Sequence, residues 1–437
     1  MNNKAQAINM KIDRRPALVP KLRFPEFRDA GAWKTQTLGT VAAISTEKVG
    51  DNTCIPMSIT SGVGLVSQME KFGRVIAGSS YKNYLLLKKN DFAYNKSATK
   101  EYPEGFIALY SGDELAAVPN SIFTCFRIKG DSPAPLYLNY LLIGNLHGQW
   151  LRKFIQVGAR AHGSLSVDED DLLALPVPLP QGETSLQEQQ KIADCLSSVD
   201  ELIAAQSRKL DALKTHKKGL MQQLFPLEGE TQPRFRFPEF QDAVEWEEKT
   251  LGEIVEVASG LVDPTKPPYC DMPHIGGENI ESHTGDLQGV KTARELGLIS
   301  GKYFFDGRDV LYSKIRPALN KVAIPDFEGI CSADIYPLRP SNQKLNRQYL
   351  AYLLRSEGFL EYAIKHSDRS KIPKVNRDSL LAYELVIPCR SEQQRIADCL
   401  TSLDDLITAH TQKLDAFKTH KKGLMQRLFP SQAEVDA

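Results

Sequence analysis

Residues 189–226 read QQKIADCLSSVDELIAAQSRKLDALKTHKKGLMQQLFP, and residues 393–430 read QQRIADCLTSLDDLITAHTQKLDAFKTHKKGLMQRLFP. The two align without a gap at an offset of 204, with about three quarters of the positions identical. A repeat of this length is the first fact to explain. In the first copy Ile192, Leu196, Val199, Ile203, Gln206, Leu210, Leu213, Lys217, Leu220 and Leu224 keep a 4-3 spacing throughout. Ile396, Leu400, Leu403, Ile407, His410, Leu414, Phe417, Lys421, Leu424 and Leu428 repeat it in the second. That spacing is a heptad seam. Glycine enters only near the ends, at Gly219 and Gly423, and Pro226 and Pro430 stop each helix. At ~1.5 Å per residue each copy predicts a rod of roughly 57 Å.

A rod with one apolar stripe needs a partner, and the other copy is the nearest. Glu188, Asp194, Asp200 and Glu201 make the start of the first copy acidic, while Lys209, Lys214, Lys217 and Lys218 make its end basic. Antiparallel pairing lays acidic starts beside basic ends and opposes the helix dipoles. The expected interface is therefore the apolar seam just named. The alternative is two amphipathic helices packed separately on their own domains. Gln206 and His410 on the seam read as register or packing residues, without chemistry.

A second repeat opens each half. Residues 20–39 are PKLRFPEFRDAGAWKTQTLG and residues 233–252 are PRFRFPEFQDAVEWEEKTLG, at an offset of 213. The stretches between are less alike, although NDFAYNKS from Asn90 echoes RDVLYSKI from Arg308, and LYLNYLL from Leu136 echoes QYLAYLL from Gln348. Their short apolar or alternating runs, such as FIALYSG, SIFTCFRIKG, DVLYSKI and DIYPLRP, read as strands. A helix follows in each, over about 135–154 and 346–364. The fold class is α+β: two tandem β-rich domains alternate with two long helices that pair as an antiparallel coiled coil, in pseudo-twofold symmetry. The expected boundaries are an N-terminal extension 1–19, a first domain 20–185, a central helical spacer 186–226, a second domain 227–390, a C-terminal helical spacer 391–430 and a tail 431–437.

After its expected helix each half carries a basic loop. The first contains Arg152, Lys153, Arg160 and His162, and the second Lys365, His366, Arg369, Lys371, Lys374 and Arg377. Lys and Arg anchor phosphates, and Arg also reads guanine edges. Lys96 and Lys100, with Lys314, Arg316 and Lys321, form a second candidate set for DNA contact. The bland reading of each is a solvated surface charge. Clusters in matching places favour a nucleic-acid surface, and a formal net charge of zero over 437 residues makes it a local patch.

Other classes find little support. No apolar run approaches the roughly 18 residues that span a membrane, and MNNKAQAINMKIDRRPALVPK is no secretory signal. Seven cysteines form no CxxC pair, which predicts reduced thiols in a cytoplasmic protein. Cys270, His274 and His283 lack a fourth ligand at finger-like spacing, so no metal site is expected. KPPYC at 266–270 lacks the leading Asp or Asn of an adenine methyltransferase loop and reads as a turn. There is no GxxxxGK[ST], G-x-S-x-G or HExxH, so no catalytic residues are assigned.

The alternation of two differing domains with near-identical helices, the RFPEF and TLG openers, the EQQKIADCL and EQQRIADCL helix starts and the KTHKKGLMQ[QR]LFP ends resemble the specificity subunit of type I restriction–modification systems. The likeness runs over residues 20–430. It implies that each variable region is a target recognition domain reading one half of a split site on double-stranded DNA. It implies that the helices set the spacer and dock two methyltransferase (M) subunits, which hold S-adenosylmethionine and methylate adenine. Restriction (R) subunits with ATP and Mg would add to this core. The chain itself would hold no cofactor and have no catalytic residues, in a bacterial or archaeal cytoplasm, serving host defence. The basic loops match no family motif. Two other readings remain open at this level: a stand-alone methyltransferase or nuclease, and a coiled-coil adaptor with two protein-binding heads.

Overall fold

A computed structural model describes residues 18–60, 62–155, 165–227, 229–341, 344–368 and 370–430. The chain divides into two compact units, Met1–Gln206 with Lys413–Ala437, and Ser207–Gln412. The boundaries fall inside both long helices. The sequence repeat and the compact unit are therefore different things: each unit takes the start of one long helix and the end of the other.

In the first unit the strands are β1 (Lys34–Thr37), β2 (Ala42–Ser45), β3 (Ile55–Thr60), β4 (Gly64–Ser67), β5 (Leu85–Leu87), β6 (Phe92–Asn95), β7 (Phe106–Leu109), β8 (Ala116–Val118), β9 (Phe123–Ile128) and β10 (Pro176–Leu179). Its helices are α1 (Leu38–Val41), α2 (Gln68–Phe72), α3 (Pro135–Ile143), α4 (Leu146–Leu151), α5 (Glu169–Leu173) and the first half of α6 (Ser185–Leu224). One four-stranded sheet has the order β2-β9-β6-β7, a second β4-β3-β8-β5, and β1 pairs with β10.

The second unit contains β11 (Glu247–Thr250), β12 (Val255–Val257), β13 (Pro273–Ile275), β14 (Lys291–Thr292), β15 (Tyr303–Phe305), β16 (Val310–Ser313), β17 (Val322–Ala323), β18 (Gly329–Cys331), β19 (Ile335–Pro340) and β20 (Glu384–Ile387). Its helices are α7 (Leu251–Ile254), α8 (Arg347–Arg355), α9 (Glu357–Lys365), α10 (Arg377–Leu381) and the first half of α11 (Arg390–Leu428). The sheet orders are β12-β19-β16-β17 and β14-β13-β18-β15, with β11 on β20. Adding ten to each strand number of the first unit gives the second, down to the parallel pairs β3·β8 and β13·β18.

The faint sequence echoes now have a cause. Asp91 and Asp309, each just before a central strand, take bidentate guanidinium bonds from Arg127 (2.6 and 2.7 Å) and Arg339 (2.8 and 2.8 Å) on the neighbouring strand. Tyr94 and Tyr312 are buried in the cores beneath. Each of the single helices expected over 135–154 and 346–364 is two. Gly144 and Asn145, the latter at φ 65°, break the first. Ser356 breaks the second, because its extended backbone frees its hydroxyl to accept from Phe359 N as the cap of α9.

The long helices meet antiparallel within each unit. In the first, Ile192, Ala193 and Leu196 of α6 share a core with Leu424, Met425 and Leu428 of α11 and with Phe429 just past its end. In the second, Ile396, Ala397 and Leu400 share one with Leu220, Met221, Leu224 and Phe225. The predicted seam positions from Ile192 to Leu224 and from Ile396 to Leu428 are all buried or half-buried, flanked by exposed residues. Acidic starts do meet basic ends: Lys421 Nζ lies 2.6 Å from Asp200, and Lys217 Nζ 2.5 Å from Asp404.

The repeated openers and helix starts form one joint per unit. Arg23 bonds both oxygens of Glu188 at 2.7 Å, and Arg236 those of Glu392 at 2.9 and 2.8 Å. Both glutamates are buried. The next residue ties in the helix of the β-rich domain: Gln189 Oε1 accepts from Ala134 N, and Gln393 Oε1 from Asn346 N. Lys191 and Arg395 then pair with Glu26 and Glu239 of the two PEF turns. Glu, Gln and Lys/Arg in each helix start thus have a structural task, which explains why EQQ[KR] occurs twice.

Candidate nucleic-acid interface

The two basic sets expected separately are stitched together by backbone. In the second unit the chain leaving β16 carries Lys314 and Arg316. Val375 N donates to Lys314 O (2.9 Å), Arg316 N donates to Pro373 O (2.7 Å), and Ile315 forms a β-bridge with Lys374. Lys314, Arg316, Lys371 and Lys374 therefore belong to two adjoining loops. The first unit repeats the stitch, with Leu165 N donating to Lys96 O at 2.7 Å. Arg160, His162 and Arg369 lie outside the described residues.

A third loop completes each surface. The β3–β4 turn passes so near the loop after β6 that a Cβ on Gly62 would lie 3.3 Å from the Tyr102 hydroxyl. In the second unit the longer β13–β14 connection does the same: His283 N donates to Asn320 O (3.1 Å), and Lys321 Nζ donates to Gly277 O (2.5 Å). Val63, in the β3–β4 turn, is 74% exposed beside this loop. These turns were missed in the sequence. The glycines around Val63 in SGVG, and those in the connection from Gly276, were the available sign of a turn.

The predicted DNA-binding residues divide by what their side chains do. Lys100, Arg316, Lys371 and Lys374 are placed on the loops, and the Lys100 and Lys371 side chains are exposed there. Lys314 is half-buried, with its ammonium 5.0 Å from the Tyr336 ring centroid. Lys153 is exposed, with its ammonium 4.6 Å from the Trp150 ring centroid. Three others hold the scaffold. Arg152 Nε bonds the buried Glu104 at 2.6 Å, at the foot of the loop that carries Lys100. Lys321 ties two loops together, as above. Arg377 donates to Val257 O (3.2 Å) and Ala258 O (2.5 Å). Lys365 and His366 instead line a cavity of about 690 Å³ with Pro226, Thr250 and Tyr383.

His147 stands under the loop after β6, with Nε2 3.3 Å from Gly105 O. Burial pushes its pKa down to about 4, so it is neutral at pH 7. The three residues weighed as a metal site do not converge on one ion. Cys270 Sγ is bonded by Arg294 and donates to Asp271, His274 is buried in β13, and His283 is exposed in the β13–β14 connection. Among the described residues no group of three or more His, Cys, Asp or Glu could hold a metal, and no helix is long and apolar enough to cross a membrane.

This arrangement can bind phosphates through Lys ammonium groups, and among the described residues it exposes the Arg316 guanidinium, a group able to read a base edge. The sequence model of the type I restriction modification DNA specificity domain matches residues 243–418. The chain is 27% identical over 330 residues to the type I restriction enzyme EcoDI specificity subunit of Escherichia coli, covering 70% of each chain. It is 24% identical over 335 residues to the putative type I restriction enzyme MjaX specificity subunit of Methanocaldococcus jannaschii, covering 76% of each. Its fold matches the type I restriction–modification S subunit of M. genitalium with a TM-score of 0.55 at 12% identity, over 95% of this chain and 100% of that one. A chain from a study of type I R-M complex assembly and conformational transition matches with a TM-score of 0.54 at 17% identity, over 92% and 98%. With its alternating domains and helices, the chain is similar in sequence and in fold to type I restriction–modification specificity subunits.

Proposed function

We propose that this chain is the non-catalytic DNA-recognition subunit of a type I restriction–modification enzyme in which each unit reads one half of a bipartite site. The observation that carries this reading is the pairing of sameness with difference. The two units share strand topology, helix joints and seam, yet their recognition loops differ in length and sequence. One scaffold carrying two readers is what an asymmetric split site requires. The paired helices set the spacer and dock the two methyltransferase subunits. Those subunits hold S-adenosylmethionine and flip the target adenine, which is why they need a separate subunit to grip the flanking DNA. Restriction subunits supply ATP- and Mg-dependent activity in the same assembly.

The test is to shorten the ruler. Removing one heptad from each helix, 207–213 and 411–417, leaves both helix joints and the residues packed around them in place. It shortens the coil by ~10 Å, equivalent to about three base pairs at ~3.4 Å each. Mapping methylated adenines in cells carrying the variant with its M subunit should return the same half-sites at a shorter spacer. An unchanged spacer refutes the ruler.

A further inference from the structure

Each unit contains one polar cluster that touches both long helices and the recognition domain at once. In the first, Asp200 of α6 takes Lys421 Nζ of α11 at 2.6 and 2.8 Å and the Tyr140 hydroxyl of α3 at 2.8 Å. Tyr140 also shares a hydrogen bond of 3.1 Å with Ser197, one turn back on α6. The Lys421 ammonium lies 5.2 Å from the Tyr140 ring centroid. The second unit repeats this with Asp404, Lys217 and Tyr352: 2.5 Å for the ion pair, 2.7 Å for the phenol, 3.2 Å from Tyr352 to Thr401 and 5.3 Å from ammonium to ring.

The seam around these clusters tolerates displacement, because apolar side chains recur along it every three or four residues. The clusters do not. Seven residues either side of Lys421 stand Leu414 and Leu428, and seven either side of Lys217 stand Leu210 and Leu224. A slip by one heptad in either direction would set a leucine against Asp200 or Asp404 and leave a half-buried carboxylate without its cation. The lysine side chains are well covered, 18% and 13% exposed, and the carboxylates, 40% and 35% exposed, are only partly reached by water, so bulk water makes up for the broken pair only in part. The phenol extends the constraint to the recognition domain, since Tyr140 and Tyr352 project from its own helix.

We infer that the Tyr140–Asp200–Lys421 and Tyr352–Asp404–Lys217 clusters are positioning clamps that admit one register of the coil and one seat of each recognition domain on it, so that the enzyme accepts one spacer length. This rests on the ruler reading above. The residues act through the scaffold and touch no base.

The test replaces both lysines by methionine, K217M with K421M, in the full chain expressed with its M subunit. Methionine keeps the stem and suits the seam, so the coil still forms, at a melting temperature lowered by the two carboxylates left without a cation. The expected result is unchanged half-sites with relaxed spacing. Discrimination against sites about three base pairs longer or shorter, the step that one heptad makes, should fall roughly tenfold or more, the factor that loss of one charge-assisted hydrogen bond corresponds to. K217R with K421R should restore single-spacer methylation. Unchanged discrimination in the methionine variant overturns the clamps. The heptad deletion, which spares both clusters, separates the two ideas. If it moves the spacer while K217M/K421M does not relax it, the ruler stands and the clamps fall; if it moves nothing, the ruler falls first.

Discussion

Replacing Glu188 by alanine tests the joint on which the first unit is built. Arg23 and Glu188 are 7% and 1% exposed and joined by two bonds of 2.7 Å, and the Trp33 indole adds a third to the same carboxylate at 3.2 Å. The substitution leaves the guanidinium buried with only the Ala30 and Gly31 carbonyls, and the indole unpaired. Breaking a buried pair from one side costs about 3–5 kcal/mol. For a compact unit of roughly this size each kcal/mol lowers the melting temperature by about 2–4 °C, so the expected fall is roughly 6–20 °C. Differential scanning calorimetry of the full chain reads this directly. Glu392→Ala should cost about 1 kcal/mol less, because Trp246 Nε1 is buried without a hydrogen-bond partner and so loses nothing. The double change Arg23→Met with Glu188→Leu, which removes both charges, should recover more than half of the loss. The reasoning is refuted if Glu188→Ala costs under about 1 kcal/mol, or if the double change is as damaging as the single one.

Further outcomes follow from the basic loops. His147 has a folded pKa of about 4 against an ordinary 6.5. Its neutral form is the one that folds, so its contribution is complete above pH 6.5 and is lost as pH falls toward 4. The loss amounts to about 3 kcal/mol at most, and His147→Gln should flatten the stability–pH curve in that window. Lys371→Ala with Lys374→Ala should weaken duplex binding by the assembled complex and reduce the slope of log K against log salt by about 0.9 for each phosphate left without its lysine, with no change in melting temperature. Arg377→Ala should behave oppositely. It removes the donor to Val257 O and Ala258 O, so stability falls by about 1–3 kcal/mol.

These contrasts mark how far the sequence alone could be read. The seam was legible because a heptad is a local pattern: ten positions per helix at 4-3 spacing require one buried stripe whatever surrounds them. The direction of pairing followed from charge, which is also carried within each segment, and Asp200–Lys421 and Lys217–Asp404 bear it out. Strands such as Phe123–Ile128 and Ile335–Pro340 were visible for the same reason. The equivalence of the two β-rich domains was only hinted at. It rests on strand order, and strand order is held by backbone hydrogen bonds that accept many side chains.

What tertiary structure alone decided is the use of each charged residue. Arg152, Lys321 and Arg377 belong to the same basic clusters as Lys100, Lys153 and Lys371 in the sequence, yet the first three donate hydrogen bonds that hold loops, Arg152 while still exposed, and the others are exposed on the surface. The difference lies in partners far along the chain, Glu104, Gly277 and Ala258, whose residue types occur many times over. The same holds for Arg23 and Glu188, 165 residues apart. Tertiary structure also decided that each KTHKKGLMQ[QR]LFP end completes the unit opposite to the one its sequence repeat belongs to. The near-identity of the two ends follows, since each fills the same kind of socket. A periodic pattern dictates that a helix will be covered; which surface covers it depends on partners that sequence spacing does not contain.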